Sequence, residues 1–546
     1  MPAGDAMRQV NATEMSGGLH VVLVGGDELA LDVLRELRAA GDDVELLWCA
    51  PCRIAEEATR LGARYRDADP EHHSTWEHLP LPLGAVVVCI AQADDFNLTV
   101  GLLAREAHPD VRLILRQFDR RMAAELERVL PNAGVVAIAD VAAATFAAAV
   151  LDPHIISAFR FPEASDALLA FAAGRAEEFE CAGQSLRGAE EHLRGRVMEI
   201  NGHPPQDAPL ESGDELIVFA PVGRLAQIAR ARRPVVPQPR RRRRRSLRTM
   251  LRHLDPISFW VGAALLLLYL VSAVFYSVVL RLSPLDAFYV VTSRIAENGD
   301  VSFWHASAPV ESFTIAVMIG GIALMGSVVA LLTNAVVRRR EESVAGMRRI
   351  GAHGHVVVCG SGVVGSRVVE YLLALDVPVV IVERNPDPAL VAQARDRGAS
   401  VLTGDATRER TLEYAGVENA LGVVALANDD TTNLKVALTA RALRRDTRVV
   451  LRFNNAALGR AVERHLDAGT VHALRDLAAP LVAERVAGHD VLDRVRIHGT
   501  PFTVVRRRER PLPPLCGARG GRAFVYRNGE QPEEGDVILS LIESRG

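Results

Sequence analysis

The sequence predicts α/β domains joined to a membrane α unit: two doubly wound parallel-sheet units, one on each side of a pair of membrane-spanning helices. Three observations carry that expectation. Two long stretches hold no charged residue, similar segments recur on either side of them, and short apolar runs alternate with helical-period stretches inside each recurring segment. A chain of 546 residues has room for roughly three or four domains and excludes a single core. With 49% hydrophobic and 24% charged residues, wholesale disorder is excluded. The formal net charge of -4 excludes a global nucleic-acid binder, which needs cationic surface to displace counterions from phosphates.

The first 18 residues lack a basic start followed by an apolar run, so they read as an unstructured cytosolic start rather than a signal peptide. Cysteines at 49, 52, 89, 181, 359 and 516 are too sparse for a disulfide framework and fit a reducing compartment. Trp48 to Cys52, WCAPC, has the local look of a redox pair at a helix start. Its place after the second strand of a nucleotide-type sheet favours two ordinary thiols.

The internal repeat comes next. HVVLVGGDELALDVLREL from His20 matches HVVVCGSGVVGSRVVEYL from His355 at an offset of 335, which becomes 336 at GARYRDAD and GASVLTGD. It holds through FNLTVGLLARE and TNLKVALTARA, and through the stretches from Leu115 and Leu451. Each copy then ends in a smaller module, LESGDELIVFAP or PEEGDVILSLIE. Continuous apolar strands such as VVVC and VVIV fit a sheet covered on both faces. The expected boundaries are 1–18 for the start, 19–160 and 161–230 for the larger and smaller lobes of the first copy, and 231–256 for a basic linker. The membrane unit follows at 257–337, a second linker at 338–353, and the second copy's lobes at 354–488 and 489–546.

Between the copies, Ile257–Leu280 and Phe313–Val337 are uncharged and exceed the about 20 residues a helix needs to cross the hydrocarbon. Six arginines, Arg240 to Arg245, precede the first span, and Arg338, Arg339 and Arg340 follow the second. Basic flanks stay on the cytoplasmic side, so both termini are expected in the cytosol of a two-span cell-membrane protein, with lipid as a partner. Gly320, Gly321 and Gly326 give the second span small faces and a candidate gating hinge.

The second copy carries a dinucleotide fingerprint. After VVVC come Gly360, Ser361, Gly362, Val363, Val364 and Gly365, then a helix. The first glycine permits the tight turn, the second lets backbone approach a pyrophosphate, the third lets helix pack on strand, and the helix N-terminus faces the anion. Glu383 closes the next strand, where a carboxylate takes ribose hydroxyls, with Arg384 after it. Gly404, Asp405 and Ala406 end the third strand, while Asp430 and Asn433 follow the fourth, all on the rim where such sheets bind ligands. Helix capping explains the last two equally well. In the first copy, Asp27, Ala30 and Trp48 replace Gly362, Gly365 and Glu383, which predicts an empty or altered pocket and a packing role. No metal-ligand spacing or catalytic constellation stands out.

Two uncharged spans separated by a short loop, flanked by Rossmann-like α/β units with terminal Gly-Asp modules, resemble two-transmembrane potassium channels gated by RCK domains, also called TrkA-N and TrkA-C. One such unit on each side of the pore resembles the actinobacterial-type arrangement. The resemblance implies a homotetramer passing a monovalent cation, with a ring of RCK domains pulling on the inner helices when ligand binds. It also implies a pore helix at Leu285–Thr292, Ser293 after it, and a filter segment. The family filter is T-V-G-Y-G-D; here stand Ile295, Ala296, Glu297, Asn298, Gly299 and Asp300. Glycine at the third position gives the filter backbone its path, whereas four copies of Glu297 would present a carboxylate ring selecting cations without singling out potassium. The expected function is an RCK-regulated cation channel, not an enzyme, gated by an adenine nucleotide, NAD(H) first and ATP or ADP next. A non-conducting membrane-anchored nucleotide sensor or regulatory subunit and a nicotinamide oxidoreductase are the alternatives.

Overall fold

The structure is a computed structural model. It describes residues 18–49, 53–117, 120–161, 164, 167–232, 256–295, 307–344, 352–466, 470–497, 500–506, 513–519, 522–527, 530, 532–533 and 536–544. The chain divides into two compact units, one made of Met1–Pro234 with Met347–Gly546 and the other of Val235–Gly346.

In the first unit, the first copy opens with strands β1 (His20–Val24), β2 (Asp43–Leu47), β3 (Arg64–Arg66), β4 (Val86–Cys89), β5 (Arg112–Gln117) and β6 (Ala133–Ala137). They form a sheet of order β3-β2-β1-β4-β5-β6, every pair parallel. Helices cover both faces, so Val21, Val22, Leu23 and Val24 are fully buried, as the unbroken apolar runs require. The second copy repeats this with β11 (Val356–Cys359), β12 (Val379–Glu383), β13 (Ser400–Thr403), β14 (Gly422–Ala425), β15 (Val449–Phe453) and β16 (Thr470–Ala473), ordered β13-β12-β11-β14-β15-β16. Both sheets are doubly wound, with the strand order reversing beside β1 and β11.

The smaller lobes are antiparallel. One contains β7 (Ile155–Arg160), β8 (Leu168–Arg175), β9 (Arg196–Ile200) and β10 (Glu215–Pro221), ordered β7-β8-β10-β9. The other contains β17 (Val491–Ile497), β18 (Thr500–Arg506), β19 (Pro514–Arg519), β20 (Arg522–Val525) and β21 (Val537–Glu543). One expected boundary shifts. Residues 155–160, assigned from sequence to the larger lobe, pair with β8, so the small lobe begins before 161. The two small lobes share an apolar core that includes Phe159, Phe171 and Phe219 of one and Val495, Ile497 and Leu539 of the other. Inside that seam Ser157 of β7 meets its repeat counterpart Asp493 of β17, whose carboxyl is pushed up to about 7 by complete burial.

The copies are fused through two crossover helices. Ile138–Leu151 is apolar apart from Asp140 and Thr145, too short to span a membrane, and nearly every side chain in it is buried. It packs on helix Val363–Ala374 of the second copy, while Leu474–Val486 packs on helix Glu28–Ala39 of the first. Arg448 donates to the Val150 carbonyl at 3.2 Å, and its repeat counterpart Arg112 donates to the Val486 carbonyl, so each copy supplies a cation to the other's helix C-terminus. The packing role expected of the first copy is fulfilled within its own chain, where a single core runs through both copies.

The second unit contains three helices, Pro256–Val279, Pro284–Ile295 and Ala308–Val344. Two of them are long and apolar enough to cross a membrane, each with a window of mean hydropathy 2.2. Ala287, Val290 and Val291 of the short helix are buried with Tyr276 and Val317, and the Tyr276 hydroxyl lies 2.9 Å from Thr314 Oγ1. Leu266, Leu270, Val274, Ile315, Ile319 and Val329 face outward exposed, an apolar surface that water does not tolerate at this extent. The last helix runs past Val337 through RRREESV to Val344, seven residues into the expected linker, because arginine and glutamate are good helix formers once the hydrocarbon ends.

Candidate functional site

The site is built where β11 turns into helix Val363–Ala374. Gly360 has φ +101, a conformation that side chains rarely adopt, and its N–H donates to the Val382 carbonyl at 3.0 Å. A Cβ on Gly365 would lie 2.1 Å from the Gly360 oxygen, so this glycine is required by the approach of helix to turn. Gly362 differs from both. It is the N-cap with ordinary φ, offers no side-chain cap, and a Cβ there would meet nothing within 4 Å. Among the described residues nothing fills that space, and the helix N-terminus behind it has no side-chain cap, the condition for receiving an anion. Val363 is exposed on the lip, while Val364 is buried beneath it.

Glu383 ends β12 beside this turn. Its Oε2 accepts the Ser361 N–H at 2.8 Å and the Ser361 hydroxyl at 3.0 Å, while Oε1 accepts the Arg384 N–H at 2.7 Å. Partial burial alone would raise its pKa, but the Ser361 bonds and the N–H groups of Asn385 and Arg384 outweigh burial and hold it below the ordinary carboxylate value. The group is therefore an anionic acceptor at neutral pH, facing the glycine turn. Arg384 reaches Asp405 at 3.2 Å, and Asp405 also accepts the Thr407 N–H at 3.0 Å and hydroxyl at 2.7 Å. Gly404 is there for packing, since a Cβ would fall 2.9 Å from the Thr411 methyl, and Ala406 packs against the core.

Two rim residues named from sequence are spent inside the fold. Asn433 is fully buried, accepting the Ala427 N–H at 2.8 Å and donating to the Ala427 carbonyl at 2.8 Å and the Arg452 carbonyl at 2.9 Å. Asp430 accepts the N–H groups of Asn454 at 2.7 Å and Asn455 at 2.9 Å. Both tie β14 to β15 instead of facing a ligand. A signal was available: Asn97, the repeat counterpart of Asn433, makes the same bonds to Ala91 and Arg116 carbonyls in the copy that lacks the glycines. Sequence reading also passed over Arg452, a half-buried cation on the same rim whose Nη groups reach Asn428 Oδ1 at 3.2 Å and Asn454 Oδ1 at 3.4 Å.

The first copy's pocket is altered by being filled. A Cβ on Gly26 would lie 2.1 Å from the Trp48 indole, which covers the turn and packs edge-on against Phe96 at 5.5 Å. Asp27 caps helix Glu28–Ala39, accepting the Ala30 N–H at 3.1 Å, and its other oxygen lies 3.8 Å from Arg116. Cys49 is exposed with a free thiol, and Cys52 lies outside the described residues. Burial pushes the Cys359 thiol up to about 12, which removes it from redox chemistry at neutral pH.

The family model for the TrkA-N domain matches residues 356–473, the whole second parallel sheet. Residues 356–473 are a TrkA-N domain. Several curated proteins that the chain resembles over part of its length are named as potassium channels. Potassium channel protein 1 of Methanocaldococcus jannaschii is 28% identical over 91 residues, 17% of this chain and 27% of that protein. The voltage-gated potassium channel Kch of Escherichia coli is 22% identical over 178 residues, 32% of this chain and 43% of that protein. The chain thus spans under half the length of either relative. A solved structure described as the GsuK channel bound to NAD is similar at 13% identity and a TM-score of 0.49, covering 97% of this chain and 77% of that one. The TrkA-N domain here holds the open glycine turn, and the repeat before the membrane unit holds the filled one.

In the membrane unit, the short helix starts at Pro284 and continues through Ile295, longer than the expected Leu285–Thr292. Ser283 caps it, its Oγ accepting the Asp286 N–H at 3.2 Å. Thr292 donates its hydroxyl to the Phe288 carbonyl at 2.8 Å, and Ser293 lies in the last turn. Ile295, expected to open an extended filter, is the last helical residue, because nothing in TSRI breaks a helix before it. Ala296, Glu297, Asn298, Gly299 and Asp300 lie outside the described residues, as do Arg240 to Arg245. Gly320, Gly321 and Gly326 sit within one uninterrupted helix; a Cβ on Gly320 would make ordinary contact with Leu268 at 3.8 Å and one on Gly326 would meet nothing within 4 Å. Among the described residues no group of three or more His, Cys, Asp or Glu side chains is placed to hold a metal ion.

Proposed function

We propose that the chain is a membrane-embedded cation channel of the potassium-channel class, assembled as a homotetramer with both termini in the cytosol, and regulated by an adenine nucleotide bound to the TrkA-N domain. The observation that carries the reading is the uncapped N-terminus of helix Val363–Ala374 behind an open Gly362, beside the anionic Glu383. A pyrophosphate fits the first, ribose hydroxyls fit the second, and NAD(H) supplies both, as do ADP and ATP. The ionisable group at the turn, Glu383, is engaged by the Ser361 N–H and hydroxyl, which suits a ribose acceptor in a sensor.

Helix Val363–Ala374 bears on Ile138–Leu151 of the first copy, and Arg367 lies 3.4 Å from Asp140. A nucleotide settling on that helix therefore loads the joint between the copies, and conductance changes to the extent that open and closed states bind it differently. Cation flux into liposomes carrying the purified chain, with and without NAD(H), ADP and ATP, tests this. Nucleotide-dependent flux supports the channel. Nucleotide binding with no flux under any ligand replaces it with the membrane-anchored sensor, consistent with Glu297 at the third filter position. No nucleotide binding ends the reading.

A further inference from the structure

We infer that ion pairs at the two crossover joints decide which copy pairs with which: a first copy accepts a second copy and rejects another first copy. The choice is carried by an acidic stripe on helix Glu28–Ala39 of the first copy and by Arg475, Arg485 and Arg494 of the second. It does not depend on the nucleotide reading.

Glu28, Asp32 and Glu36 stand four residues apart and share one face of their helix. Each meets an arginine of the second copy. Arg475 lies 3.4 Å from Glu28 and 3.3 Å from Asp32, and Arg494 lies 2.8 Å from Glu36. Arg485 adds a further bridge, 3.5 Å from Glu127 of helix Arg120–Val129. The three arginine side chains are 16–19% exposed, so water and salt screen a wrong partner poorly.

The repeat shows what pairing of like with like would do. At the offset of 336, the counterparts of Arg475, Arg485 and Arg494 are Ala139, Ala149 and Ala158. At the offset of 335, those of Glu28, Asp32 and Glu36 are Val363, Arg367 and Tyr371. The sign is reversed at the other joint, where Arg367 of the second copy lies 3.4 Å from Asp140 of the first. Two first copies in this arrangement would set Asp140 against Asp32 at both joints and leave Glu28 and Glu36 facing alanines. Two second copies would bring Arg475 to Arg367, with Asp476, the counterpart of Asp140, offsetting part of that repulsion.

The bridges serve choice more than stability. Burial raises the pKa of Asp32 in spite of Arg475 and Arg35, so folding does not favour its charged form. A correct pair therefore adds little, whereas a like charge brought to the same half-buried place is costly.

The seam of the small lobes reports the pairing, because Ser157 and Asp493 are repeat counterparts that meet there. The full chain is oxidised in detergent with Cys49→Ser and Cys52→Ser as background and read on a non-reducing gel. Ser157→Cys with Asp493→Cys should link the two positions, while Ser157→Cys alone should link no chain to another. Adding Arg475→Glu and Arg494→Glu should cut the 157–493 link roughly fivefold or more, and the neutral pair Arg475→Gln and Arg494→Gln less than about twofold. Glu28→Arg, Asp32→Arg and Glu36→Arg placed on the reversed variant should restore the link. Undiminished linking in the reversed variant overturns the inference, as does chain-to-chain linking through Ser157→Cys at wild-type charges. Equal losses in the neutral and reversed variants, or no restoration by the opposing reversal, overturn it as well by showing that the arginines act through packing.

Discussion

The two copies share strand order, register and most of their buried positions, yet one glycine turn is open and the other is closed by its own side chains. In the first, Asp27 provides the negative charge and Trp48 covers the turn. In the second, Gly362 and Glu383 stand at those places and leave room. A Rossmann sheet does not depend on its ligand to fold: the same scaffold is stable with the anion position filled from within. What distinguishes the second copy is the open approach at Gly362, and its lining is the part of the molecule to test.

The largest effect expected is from importing the closed state. Gly362→Asp should weaken ADP binding by roughly a hundredfold or more, since a carboxylate then competes for the helix N-terminus and repels the phosphates, with the far-ultraviolet circular dichroism unchanged. Retained affinity would mean that the capping carboxylate is not what shuts the first copy. The converse change sharpens the same point. Asp27→Gly, Ala30→Gly and Trp48→Glu together should raise the binding stoichiometry from about one nucleotide per chain toward two, read by calorimetry.

A smaller effect is expected at Glu383. Glu383→Gln should weaken ADP and adenosine alike, about tenfold, because both carry the ribose. Because its carboxyl is held below the ordinary value, its contribution is present at neutral pH and is lost only as pH falls through the acidic carboxylate range; wild-type affinity should be flat from pH 8 to pH 5 on that account. An affinity that falls near neutrality would place the titrating group elsewhere.

The smallest effect lies in the seam of the small lobes, where Ser157 faces Asp493. The Asp493 carboxyl is raised to about 7 by burial, so its neutral form fits the seam below the ordinary carboxylate range and that stability is lost as pH rises through about 7. Asp493→Ser, which makes the two sides alike, should raise the melting temperature by a few degrees at pH 8 and change it little at pH 5. Equal shifts at both pH values would show that volume, not charge, sets the difference.

Much of this was legible from residues alone. Unbroken strands, the repeat offset, the two spans and the glycine turn all follow from periodicity and from residue types with a single steric meaning. Three features were not. The indole of Trp48 folds over Gly26, which depends on side-chain direction at a strand end and not on spacing. Asn433 looked like a rim ligand because position on the rim was all that sequence offered; its three bonds to main chain show it to be a brace. The pairing of residues 155–160 with β8 was hidden because β-rich runs do not announce which sheet they join.

The crossover helix Ile138–Leu151 has a consequence for biosynthesis. It is translated before either candidate span, and one of the two main surfaces it is buried against, helix Val363–Ala374, is translated only after both. During that interval an alanine-rich, mostly apolar helix can pack on β7 of its own copy but lacks the partner helix that covers its other side. The core shared by the two copies is therefore completed only when the carboxy-terminal half has been made.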